Sequence, residues 1–92
     1  MKPMQVPEQK APPGKEYIFR TPEGKEVGRA RSVREFVELL RKVPLESVLY
    51  HANGGHFSQW LEFMGQRVIA AKAKGIRGSD ERVRKALLAL FE

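Results

Sequence analysis

Residues 32–44 constrain the fold more than any other stretch of the chain. Ser32 followed three residues later by Glu35 is a capping box, and Val33, Phe36, Val37, Leu40 and Val43 then recur at helical spacing until Pro44. The spacing predicts a helix over 32–43 with one continuous apolar stripe. Such a stripe is stable only against a second layer, so the flanking segments have to cover it. With 92 residues there is room for one core and not for two. Cysteine is absent, which excludes disulfides, thiolate metal sites, iron–sulfur clusters and a cysteine nucleophile, and leaves packing to hold the structure.

The covering layer is sought first upstream. Tyr17-Ile18-Phe19-Arg20-Thr21 is a β-branched and aromatic run, followed by Pro22-Glu23-Gly24-Lys25 and then Glu26-Val27-Gly28-Arg29. Pro22 presets φ at the second turn position and Gly24 can take a positive φ, so a hairpin is expected. Downstream, the consecutive apolar residues of Ser47-Val48-Leu49-Tyr50 read as a short third strand buried on both faces. His51-Ala52-Asn53-Gly54-Gly55-His56 then reads as a tight loop.

Three helices complete the pattern. Phe57, Trp60, Leu61 and Met64 share one face of the first, with Gly65 after its end. The second runs over 66–74 with Val68, Ile69 and Ala73 inward. For the last, Ser79 is the expected N-cap, Asp80 and Glu81 fill the first turn, and Val83, Leu87, Leu90 and Phe91 form the stripe. The order is ββαβααα. It predicts a single α+β domain over 16–92, with a three-stranded sheet in the order 2-1-3, a crossover helix on one face and a three-helix cap. Residues 1–15 hold four of the six prolines and few apolar side chains, and read as a flexible tail.

From 19 to 91 the chain resembles an uncharacterised prokaryotic domain-of-unknown-function family, whose members carry a Tyr-His and then a Phe-Ser-x-Trp element. Here these are Tyr50-His51 and Phe57-Ser58-Gln59-Trp60. The resemblance implies a shared domain and no particular activity, and it directs attention to Tyr50, His51, Phe57, Ser58 and Trp60.

Residues 51–60 contain both histidines, the one asparagine and the one tryptophan. A Ser58–His51 catalytic pair would need an orienting acid, and no acid lies between 47 and 61. Capping by Ser58 and a backbone-bound His51 explain the same residues, so no catalytic residue is assigned. His51 and His56 form an H-x4-H pair, but zinc takes at least three protein ligands and the third is not nearby, so no metal or cofactor is expected. The aromatics Tyr17, Phe19, Tyr50, Phe57 and Trp60 could stack on bases, yet their spacing fits core positions.

Charge is more informative. The formal net charge is +6, and the excess is C-terminal, in Arg67, Lys72, Lys74, Arg77, Arg82, Arg84 and Lys85. Residues 66–87 resemble a helix-turn-helix in Gln66 and in Ala71-x-x-x-Gly75-Ile76, although Glu81 and Arg84 stand where apolar residues belong. A non-enzymatic binding module is expected. Its favoured partner is nucleic acid, held nonspecifically by Lys72, Lys74, Arg77, Arg82, Arg84 and Lys85. The competing expectation is a protein-interaction or self-associating domain presenting Trp60, Phe63 and Leu88. Residues 1–14 hold no apolar signal core and no stretch nears the ~20 apolar residues of a span, which points to the cytoplasm. The Arg, Lys and Glu bias is one also found in proteins from hot environments.

Overall fold

A computed structural model describes residues 9–92. Its order is β1 (Tyr17–Arg20), β2 (Glu26–Ala30), α1 (Val33–Lys42), α2 (Leu45–Gly54), α3 (His56–Phe63), α4 (Arg67–Lys74) and α5 (Glu81–Ala89). The class is α+β. Among the described residues, however, the sheet has two antiparallel strands and not three.

The hairpin follows its turn chemistry. Gly24 donates its N–H to the Thr21 carbonyl at 2.8 Å and has φ +92°, and Thr21 and Lys25 close the pair at 2.9 Å. Tyr17 pairs with Ala30 and Phe19 with Gly28, and a bulge follows between Phe19 and Arg20. Helix α1 starts as expected. Ser32 Oγ accepts the Glu35 N–H at 3.1 Å, while the Glu35 carboxylate reaches back to the Arg31 N–H at 2.8 Å. Val33, Phe36, Val37 and Leu40 are buried.

The expected third strand is helical. Residues 47–50 lie within α2, so the 2-1-3 strand order and the crossover back to a third strand fall away. A run of three apolar residues fits a buried strand and a buried helix equally well. The deciding period is longer, because Leu45, Val48, Leu49 and Ala52 stand at i, i+3, i+4 and i+7. Pro44 at the N-cap and Gly55 in the left-handed region at φ +75° set the ends of the helix. The supposed loop of residues 51–56 is therefore mostly the last turns of α2, with α3 beginning at His56.

Helix α3 buries Phe57, Trp60, Leu61 and Met64 on one face, as its spacing requires. Two details differ in the helices that follow. On α4, Ala70 and Ala73 are buried, Ile69 is half-buried and Val68 is exposed, because α4 covers α3 with its alanines. Helix α5 is capped by Asp80, whose carboxylate accepts the Arg82 N–H at 3.0 Å, one residue later than Ser79. Helix α4 packs on α3 across a three-residue turn, whereas α5 packs on α1 and α2 after the six residues 75–80. That is not the close helix pair of a helix-turn-helix, whose turn has three to four residues.

An aromatic cluster forms the core. The Phe36 ring stacks between Phe19 at 5.4 Å and Trp60 at 5.3 Å, and Tyr17 meets Phe36, Phe57 and Trp60 within 5.6 Å. The Cα radius of gyration, 12.1 Å, matches the roughly 12 Å of a close-packed chain this long. Within the segment read as a tail, residues 1–8 lie outside the described residues. Residues 9–15 are hydrogen-bonded: Ala11 donates to the Arg31 carbonyl, Val33 to that of Gln9, and the Trp60 indole to that of Lys15 at 2.8 Å. The Gln9 amide also donates to the Met64 carbonyl and accepts from Gln66 Nε2, tying this segment to the turn between α3 and α4. No helix among the described residues is long and apolar enough to cross a membrane.

Candidate functional site

Helix α2 lies along β1 where a third strand was expected, and His51 makes the contact. It projects from the last turn of α2, is 5% exposed, and accepts the backbone N–H of Arg20 on Nε2 at 2.8 Å. The backbone bond expected of His51 is thus made from a helix, to an edge N–H of the sheet. Because Nε2 accepts, the ring proton sits on Nδ1, which lies 3.0 Å from Nδ1 of His56 and donates to it. Burial, with His56 and Arg20 nearby, pushes the His51 pKa down to about 4. His51 is therefore wired neutral. A methyl group on Gly54 would come within 2.6 Å of His56 Nε2, so the glycine lets the second ring lie flat against the chain.

Ser58 is 7% exposed and donates to the Gly55 carbonyl at 3.0 Å, within its own helix turn. Among the described residues its hydroxyl bonds that carbonyl and not the His51 ring. The two histidines do meet, yet among the described residues no three His, Cys, Asp or Glu side chains gather as metal ligands would. Phe57 and Trp60 are core, and Tyr50 is 39% exposed.

Beside this contact opens a cavity of about 500 Å³. One side is β1, with Ile18 and Arg20, and Glu16 just before it, and the other is α2 and α3, with Tyr50, His56 and Gln59. Tyr17 reaches its floor. Among the described residues the buried Tyr17 hydroxyl has no hydrogen-bond partner, and burial together with Tyr50 holds its proton far more tightly than usual. The sequence singled out Tyr17, Tyr50, His51, His56 and Trp60, and gave no site role to Glu16, Ile18, Arg20 or Gln59. The available signal was the alternation of Glu16, Ile18 and Arg20 opposite the core positions Tyr17 and Phe19.

The six basic residues separate into two groups. Arg84 NH1 donates to the carbonyls of Leu40, Arg41 and Val43 at 3.0, 3.2 and 2.7 Å, capping α1, and its guanidinium forks onto Glu81 at 2.8 and 3.2 Å. Arg77 donates to the Asn53 carbonyl at the end of α2, and Arg82 pairs with Asp80 at 3.1 Å. Asn53 itself clamps the Gly78 peptide at 2.9 and 3.1 Å. Lys72, Lys74 and Lys85 are exposed, as is Arg67. Among the described residues, Arg67, Lys72 and Lys74 have no ion pair. Of the apolar residues proposed for a protein partner, Trp60 is buried and Leu88 half-buried against the core, leaving Phe63 at 54% exposure. No protein-family model matches this chain, and no curated protein or solved structure matches it either.

Proposed function

We propose that this chain is a non-enzymatic binding module that holds polyanions, nucleic acid foremost, through α4 and the loop after it. The observation that supports this is the charge of residues 63–79, which carry Arg67, Lys72, Lys74 and Arg77 and no acid. Elsewhere the cations are interleaved with carboxylates. The exposed positions of α4 also include Val68 and Ala71, small enough for a phosphate backbone to approach the lysines. Such contacts give affinity by releasing counterions and carry no base readout. Arg84 and Arg77 take a structural part, and Arg82 contributes only in competition with Asp80.

Fluorescence anisotropy with a labelled duplex tests this. Binding should weaken with a log–log salt slope of about −3, since three or four phosphates are neutralised. Lys72→Glu with Lys74→Glu should abolish it while the circular dichroism spectrum stays unchanged. Binding that survives this double substitution overturns the proposal. A second reading, self-association, draws on Phe63 and on Val68 at 69% exposure. Sedimentation equilibrium of the Phe63→Ser, Val68→Ser variant against the native chain decides it, because only a dimer through these residues would dissociate.

A further inference from the structure

The cavity beside His51 carries opposite charges at its two ends, and the contacts around it fix which end is which. At one end the Arg20 N–H is held by His51, and the Tyr50 ring lies 5.0 Å from His51 and 5.2 Å from His56. At the other, the Trp60 indole holds the Lys15 carbonyl, which brings Glu16 to α3 beside Gln59. Ile18 lies midway. Each end is equipped for a ligand. His56 accepts from His51 on Nδ1, so its own proton is on Nε2 and it can serve a ligand only as a donor. The Arg20 guanidinium has five N–H donors, and its 3.4 Å bond to the Gly24 carbonyl engages one of them. Arg20 also contributes, after burial and His56, to holding the His51 pKa down, so its charge stands close to the histidines. Opposite Ile18, Arg29 is forked onto Glu26 at 3.2 and 3.3 Å, so it is Glu26 and not Glu16 that neutralises it.

We propose that this cavity binds a small linear zwitterion, an ω-amino acid in chemical class, with its carboxylate on Arg20 and His56, its ammonium on Glu16 and its methylene chain along Ile18 and Trp60. The volume suits it, about 500 Å³ against the roughly 300–1,000 Å³ of small-molecule sites. Spacing selects the length. Four residues of extended chain separate Glu16 from Arg20 by about 13 Å, and a charge-assisted bond of about 2.8 Å at each end leaves about 7–8 Å for the ligand. An extended chain of five methylene groups has that reach, whereas an α-amino acid, whose two charges flank a single carbon, can meet one end only. The apolar chain matches the middle of the site, where Ile18 is half-buried and Trp60 is 9% exposed. Both ligand bonds are made to side-chain charges. The Arg20 N–H therefore stays on the His51 ring, and the Tyr17 hydroxyl takes no part.

The probe is 6-aminohexanoate, titrated into the 15N-labelled protein at pH 7 beside hexanoate, 1-hexylamine and glycine. Saturable shifts of the Ile18 amide and the Trp60 indole are expected with 6-aminohexanoate, at a dissociation constant of about 1 mM. Hexanoate and hexylamine, each with one charge, should bind about fivefold more weakly, the most that a solvent-exposed ion pair supplies. Glycine should leave both resonances in place. Arg20→Gln should weaken 6-aminohexanoate to the level of hexylamine and leave hexylamine itself unchanged, and Glu16→Gln should do the same with hexanoate as the reference. The ranking of the four probes on the native chain decides the matter without either variant. Equal affinity for the three six-carbon probes, affinities that ignore both substitutions, or no saturable shift at Ile18 up to about 50 mM probe would overturn the proposal.

Discussion

Lowering the pH from 7 to 4 should remove about 3 kcal/mol of stability through His51 alone. Folded, its pKa lies near 4, against 6.5 in the unfolded chain. Between those values the unfolded state binds a proton that the native state refuses, so stability rises with pH. The contribution is complete above 6.5, falls through the interval, and is gone once the pH drops below 4. The structural reason is specific. A second ring proton would have to sit on Nε2, where the Arg20 N–H already points, at a side chain that is 5% exposed. Against the 5–15 kcal/mol typical of a small domain this is a large fraction. The assay is urea denaturation at successive pH values for the native chain and for His51→Gln, whose amide oxygen can still accept from Arg20 but does not titrate. Glu26, Asp80 and Glu81, held below the ordinary carboxylate range by hydrogen bonds from Arg29, Arg82 and Arg84, lose stability on acidification in both proteins. The difference between the two curves isolates His51. Parallel curves from pH 7 to 4, or a 15N spectrum with the neutral ring proton on Nε2, would refute the reasoning.

Other perturbations have equally local consequences. Arg84→Met should cost about 2 kcal/mol in thermal or urea unfolding, since three carbonyls at the end of α1 lose a charged donor, and Arg84→Lys should recover only part of it because an ammonium cannot fork onto Glu81 as well. Asn53→Ala should cost about 1–2 kcal/mol and raise amide exchange at Gly78, because its side chain makes both bonds to that peptide. Gly54→Ala should displace the His56 ring and break its bond to His51, visible as a change in the imidazole nitrogen shifts while α2 stays helical.

Local signals carried the helices and the hairpin far and the sheet only part of the way. The Ser32–Glu35 cap, the stripe to Val43, the turn at Pro22 and Gly24, and the buried face of α3 were all legible, because each depends on residues within one or two turns of one another. Residues 47–50 were misjudged where period and run length disagreed, and that exchange of strand for helix moved the site. The C-terminal charge was also legible as an amount and not as a surface. Nothing in the letters separates Arg84, clasped to the end of α1 from 41 residues away, from Lys72, which faces solvent.

What the sequence determined by itself is the class, the hairpin, four of the five helices and the acid-free basic segment, since these follow from composition and short-range periodicity. Only the tertiary structure decided that His51 would hold the Arg20 N–H and that its proton would go to His56. Those outcomes depend on groups 31 residues apart in the chain meeting in one place. A hydrogen bond of that kind is specified by packing, because either partner alone would be equally content with water.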